Sequence, residues 1–357
     1  MAGPSIATVS PGARVPDTRG TIEVACDESG FVGGSLFGRT RVFAHASLQV
    51  DPAAAVELTD EVRRRTDAGS QELKASRLNR EWARPVAAWL CAADGPLGGR
   101  VVVHVTDTRL FGLGRLAQVV MAESTPDGWW SAREEEGTWE RALRLHAGLG
   151  ELPAHWEREF LLASRDLLWI RRRRRHGATI ETWAARVRAA AEQMPDARGR
   201  RFLATWASPD AVARARGYVE APPASPLSEP LLPALRWAVH HWSAVGDVDV
   251  VHDEQSVLTP ARVAAIADEF ARSCPGRRMA GFTRVDSRDD ARVQLADLVA
   301  GVVRRSLEVR LTGDDARPGV PVDHLVAADS IVLSPDAEPQ RSLRKNVSQP
   351  SISSGTS

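Results

Sequence analysis

A chain of 357 residues with 43% hydrophobic content can fill one large domain or two ordinary ones, which excludes a fibrous or wholly disordered protein. Lys plus Arg balances Asp plus Glu at 46 each, so there is no global basic field, and a nucleic-acid partner has to be held by a local patch. Cys26, Cys91 and Cys274 are scattered thiols without paired spacing, and no run approaches the roughly 18 apolar residues of a membrane span; a soluble cytoplasmic protein without membrane contact is expected.

In chain order, residues 1–20 are rich in Pro, Gly and Ser and read as a disordered leader. Residues 21–27 read as a strand that delivers Asp27 to the turn Glu28-Ser29-Gly30, and alone such an ending is an ordinary turn. Residues 41–50 are its hairpin partner, and Pro52 opens a helix to about Arg65. The segment Gln71-Glu72-Leu73-Lys74 precedes a helix over 81–92. The valine-rich run 101–105 lacks alternation and suits a strand covered on both faces. Residues 21–109 thus form the first part of an α/β core.

From 110 to 245 the strand patterns give way to helical periodicity, as at Trp156, Phe160, Ala163 and Leu167 or at Ile180, Trp183, Val187 and Ala190, which predicts a large helical insertion. A proline-rich connector over 221–233 leads to a helix marked by Leu235, Val239 and Trp242. The second part of the core, 246–335, has strands over 247–253 and 279–285, and Thr259-Pro260 opens a helix over 261–271. A helix over 290–307 and a short strand at 331–333 follow; the Ser-rich residues 336–357 read as a disordered tail.

Carboxylates are the candidate chemistry. On the late helix, at about 100° per residue, Asp290, Gln294, Asp297 and Gly301 share one narrow face opposite Leu295, Leu298, Val299 and Val302, so Asp297 faces something polar. Asp253 ends a strand and shares a face with Asp249 and Val251. Glu72 and Lys74 share a face if extended and diverge if helical, and Lys74 is notable because only it and Lys345 are lysines. Carboxylates from two strands, a late helix and an intervening segment suit hard divalent cations: Mg²⁺ or Mn²⁺, as a pair, need only oxygen ligands to act on a phosphodiester.

Asp27-Glu28-Ser29-Gly30, Glu72-Leu73-Lys74, His252-Asp253-Glu254-Gln255 and Asp286-Ser287, with Gln294 to Gly301 beyond, resemble the successive signatures of the family called domain of unknown function 3800. The resemblance covers roughly 21–109 and 246–307. It implies a ribonuclease H-like fold, a mixed five-stranded sheet flanked by helices, with Asp27, Glu72, Asp253 and Asp297 as metal ligands and Lys74 beside them. It also implies a nuclease acting on RNA, DNA or hybrid, in a setting of defence against foreign nucleic acid. Asp107 competes with Asp253 for the mid-sheet role, but its surroundings do not match the family pattern.

Other features are weighed against this site. The arginine run 171–175 with Arg198, Arg200 and Arg201 reads either as a phosphate clamp or as a solvated helix end. Trp129-Trp130 is a stacking candidate, whereas most tryptophans read as core. A zinc cluster of His240, His241 and His252 is disfavoured because adjacent helical residues diverge by about 100°. Two alternatives remain: a restriction-like nuclease using Glu72 and Lys74, in which Asp297 is structural, and a non-catalytic nucleic-acid-binding or adaptor protein.

Overall fold

The computed structural model describes residues 20–30, 36–38, 40–69, 73–121, 137–169, 179–222, 227–313 and 319–331. Five strands, β1 (Thr21–Ser29), β2 (Val42–Leu48), β3 (Val101–Asp107), β4 (Asp247–Asp253) and β5 (Met279–Val285), form one mixed sheet in the order β3-β2-β1-β4-β5. β2 is antiparallel to β1 and to β3, and β4 is parallel to β1 and to β5. The predicted hairpin is therefore present, with its register set by Ala25 opposite Leu48. β3 is covered along its outer side as well, where Val326 and Ile331 form bridges to Val103 and Thr106.

Strict alternation divides the sheet into two apolar faces. Ala25, Ala44, Ala46, Val103, Val105 and Val251 belong to a core shared with α1 (Pro52–Thr66), the short α2 (Ala75–Leu78), α3 (Arg84–Leu90) and α12 (Ala291–Thr312). Val24, Cys26, Phe43, Val248 and Val250 belong to a second core with α10 (Leu231–Trp242) and α11 (Pro260–Ser273). The helix predicted over 81–92 splits into a 3-10 turn at Glu81–Ala83 and α3, because Pro85 fits only a helix's first turn.

α4 (Thr108–Met121), α5 (Thr138–Gly150), α6 (Ala154–Leu168), α7 (Ile180–Glu192), α8 (Ala197–Thr205) and α9 (Pro209–Glu220) share a third core, with Trp183 and Trp206 at its centre. α10 packs on the sheet instead, so the lobe with its own core spans α4 to α9. Asp51, Thr179, Asp196, Ser208, Thr259 and Asp290 cap their helices through side-chain oxygens, satisfying amide donors that the first turn leaves open. Among the described residues no helix is long and apolar enough to cross a membrane, and the three cysteines are free thiols. Of the leader expected over 1–20, all but Gly20 lies outside the described residues, as do the residues from 332 onward, including Val332 and Leu333.

Candidate carboxylate site

Because β1 and β4 run in parallel with Cys26 opposite His252, Asp27 and Asp253 stand one step further on, on neighbouring strands about 4.8 Å apart. Alternation sends both side chains to the α12 face, at the carboxyl ends of their strands, where open α/β sheets place their sites. Asp27 is only 5% exposed. Asp297 enters from α12 and is half-buried. Its Oδ2 accepts a hydrogen bond from the Ala75 amide at 3.4 Å, and Asn79 Nδ2 donates to the Gly301 carbonyl at 3.3 Å. Gly301 permits this approach, since a Cβ there would stand 2.1 Å from the Ala75 Cβ. The predicted polar stripe on α12 is thus used: Asp290 caps the helix, Gln294 accepts from Arg63 Nη2 at 3.0 Å, Asp297 joins the site and Gly301 receives Ala75.

These groups feel one another. Burial first, and then the charges of Glu28, Asp297 and Asp253, push the Asp27 carboxyl well above the usual carboxylate range, against a hydrogen bond from the Glu28 amide at 2.7 Å. Burial also raises Asp253, opposed by the Ser287 amide at 3.0 Å and by the charge of Lys74. Lys74 itself is extended, with φ −118° and ψ 142°, and its ammonium also helps hold Asp286 low, after the dominant hydrogen bonds from Arg288. Lys74 therefore adopts the extended geometry of the two weighed for its segment. Glu72 lies outside the described residues.

Glu28, which reads as part of a turn in the sequence, lies within β1 and is a further buried acidic group. It points to the other face of the sheet from Asp27, and burial, then Glu229 and Asp253, push its carboxyl up to about 8. Glu229, before α10, is pushed up to about 7 by burial. The signal was available in part: consecutive Asp and Glu on one strand must address opposite faces. Glu229 sits in a proline-rich connector whose sequence gives no hint of where it folds.

Beneath Glu28 lies a histidine pair. His252 Nδ1 is 2.9 Å from the Asp253 carbonyl, which can only accept, so that nitrogen carries the proton and Nε2 accepts from His45 Nε2–H at 3.2 Å. Burial drives His252 down to about 4 and His45 well below its ordinary value, so the pair is neutral and brings no cation to Glu28, whose Oε2 is 4.0 Å from His252 Nε2.

Asp107, the competitor for the mid-sheet role, is committed elsewhere. It pairs with Arg41 at 2.6 Å and accepts from the amides of Arg109 and Leu110 at the start of α4. The disfavoured zinc trio does not assemble: His252 faces His45, His240 contacts Cys274 Sγ at 3.3 Å, and His241 stacks on Trp237. Among the described residues no three His, Cys, Asp or Glu side chains stand in ready ligating geometry. The arginine run 171–175 and Trp129-Trp130 lie outside the described residues. Arg198, Arg200 and Arg201 lie in the first half of α8, capped by Asp196, and not at a helix end where the dipole favours cations. Comparison of the chain with known protein families, with curated proteins and with solved structures gives no match.

Proposed function

We propose that this protein is a nuclease that hydrolyses phosphodiester bonds with a divalent-cation carboxylate site on a ribonuclease H-like sheet. The single observation that carries the reading is Asp27: a carboxylate 5% exposed on the central strand, raised first by burial, then by Glu28, and further by Asp297 from the crossing helix and Asp253 from the neighbouring strand. A buried like-charge group of this kind costs stability unless it is protonated or neutralised by a cation. The mixed five-stranded sheet with helices on both faces supports the same reading.

The residues fit the implied ions by donor chemistry, since Mg²⁺ and Mn²⁺ take carboxylate oxygens and water. Asp27, Asp253 and Asp297 would hold them, with Glu72 as fourth ligand. When bound, a pair of such ions supplies a hydroxide nucleophile and neutralises charge at the scissile phosphate. The chain contributes the rest. α12 fixes Asp297 against the Ala75 backbone, Ser287 orients Asp253, and Lys74 brings a positive charge beside Asp253 to meet a substrate phosphate. RNA, DNA and their hybrid are the substrates to be tested.

The second reading is a protein that binds nucleic acid without cutting it. Incubation of the purified chain with end-labelled RNA, DNA or hybrid in Mg²⁺ or Mn²⁺ separates the two. The nuclease reading expects cleavage that Asp27→Asn and Asp297→Asn abolish. Full cleavage by both variants would remove this site from the chemistry, and binding without cleavage of any substrate would favour the second reading.

A further inference from the structure

Away from the aspartates, α10 and α11 bring a thiol, an imidazole and a carboxylate together. Cys274 follows the last residue of α11, and its Sγ stands 3.3 Å from His240 Nδ1 on α10. On the other side of the ring, His240 Nε2 is 3.6 Å from Glu269 Oε2 and 3.4 Å from Ser273 Oγ. A carboxylate oxygen can only accept, so Nε2 carries the proton and Nδ1 is left to accept from the thiol.

The ring is held and charged for this role. Phe270 meets it edge to face at 4.9 Å, and Arg236 Nε fixes Glu269 Oε2 at 2.8 Å. Glu269 is 5% exposed and its buried Oε1 takes no hydrogen bond among the described residues, so part of its charge is left to act on His240. Burial, and then the Arg236 charge, hold His240 below its ordinary value against the pull of Glu269. At neutral pH the ring is therefore a free base that can take a proton.

The three thiols differ in what they can do. Cys26 and Cys91 are 1% exposed or less, and burial pushes both thiols up, Cys91 to about 12. Neither offers a thiolate to solvent. Cys274 is half-buried between the exposed Ser273 and Pro275, with a histidine facing its sulfur. The carbonyls that end α11 disfavour a standing thiolate, so the sulfur becomes a nucleophile at the moment His240 takes its proton.

We infer that Cys274, His240 and Glu269 form a thiol modification site whose reagent is hydrogen peroxide. A carbonyl substrate would build an oxyanion beside the carbonyls that end α11, which repel it, whereas a small neutral peroxide needs only a base that can return the proton as an acid. Sulfur attacks one peroxide oxygen as its proton passes to Nδ1; the O–O bond breaks, and the leaving hydroxide recovers that proton and departs as water. Sulfur loses two electrons to become a sulfenic acid, and the peroxide gains them.

Trapping the product tests this. Full-length protein at neutral pH in EDTA is exposed to hydrogen peroxide with dimedone, which captures sulfenic acids, and labelled peptides are quantified by mass spectrometry. Label is expected on Cys274 alone, and at least about tenfold faster than on the same cysteine in the urea-unfolded chain. His240→Gln is expected to remove that advantage, and continued protection of Cys26 and Cys91 from iodoacetamide shows that the variant is folded. A folded-state rate no higher than the unfolded one, label on Cys26 or Cys91 at the rate of Cys274, or a folded His240→Gln that oxidises as fast as wild type would each overturn the site. Should the variant not fold, the comparison within the wild type decides alone.

Discussion

Asp27 and Glu28 sit side by side in the chain and both carry carboxyls raised by burial, on opposite faces of one strand. Removing the charge of Asp27 relieves like-charge repulsion, so Asp27→Asn is expected to melt higher than wild type at neutral pH in EDTA while losing metal-dependent cleavage. A gain of about 1 kcal/mol would read as a shift of about 1–2 °C in calorimetry. Glu28 gives a pH signature. Its folded value of about 8 lies above its ordinary 4.5, so between those values the folded state retains a proton that the unfolded state has lost. Stability from this group is therefore greatest below about pH 4.5 and falls as pH rises towards 8. Melting temperatures measured from pH 5 to 8 in EDTA are expected to decline less steeply in Glu28→Gln than in wild type, and Mg²⁺ to stabilise wild type more at pH 8 than at pH 5.

At the scale of elements, α12 organises the site. It crosses β1 and β2, supplies Asp297, admits Ala75 at Gly301, and anchors the start of β2 through Glu308, which accepts the amides of Arg41 and Val42. Gly301→Ala forces a methyl into Ala75 and is expected to cost about 1–3 kcal/mol in urea unfolding, with Ala75→Gly in the same chain restoring part of it. Much of this helix was legible in sequence, because a polar stripe on an otherwise apolar helix admits few explanations. The strands were legible from their apolar runs, but β1 runs two residues past Asp27: Glu28 and Ser29, which read as a turn in the sequence, pair with His45 and Ala44 of β2. What was not legible depends on long-range contact. Asp107 and Asp253 are both strand-terminal aspartates, and only the arrival of Arg41 at one and of Lys74 at the other separates a helix cap from a site residue. Trp82 reads in sequence like any core tryptophan, and only packing leaves it outside.

Across the whole molecule, two bodies of packing are joined where β3 passes directly into α4. The lobe of α4 to α9 has its own core, to which Leu36 and Ile331 also belong. Phe160 is fully buried there, and Phe160→Ala is expected to cost about 3–5 kcal/mol. Hydrogen exchange should show protection lost in α4 to α9 while β1, β2 and β4 keep theirs, and equal loss in both would mean the lobe and sheet unfold as one unit. On the proposed function, Asp27 of β1, Asp253 of β4 and Asp297 of α12 gather divalent cations. Crystals soaked in Mn²⁺ and measured at the manganese absorption edge test it most directly. Anomalous peaks ligated by Asp27 and by Asp253 or Asp297, absent in Asp27→Asn, are the predicted result; a wild-type map with no peak at these carboxylates would contradict it.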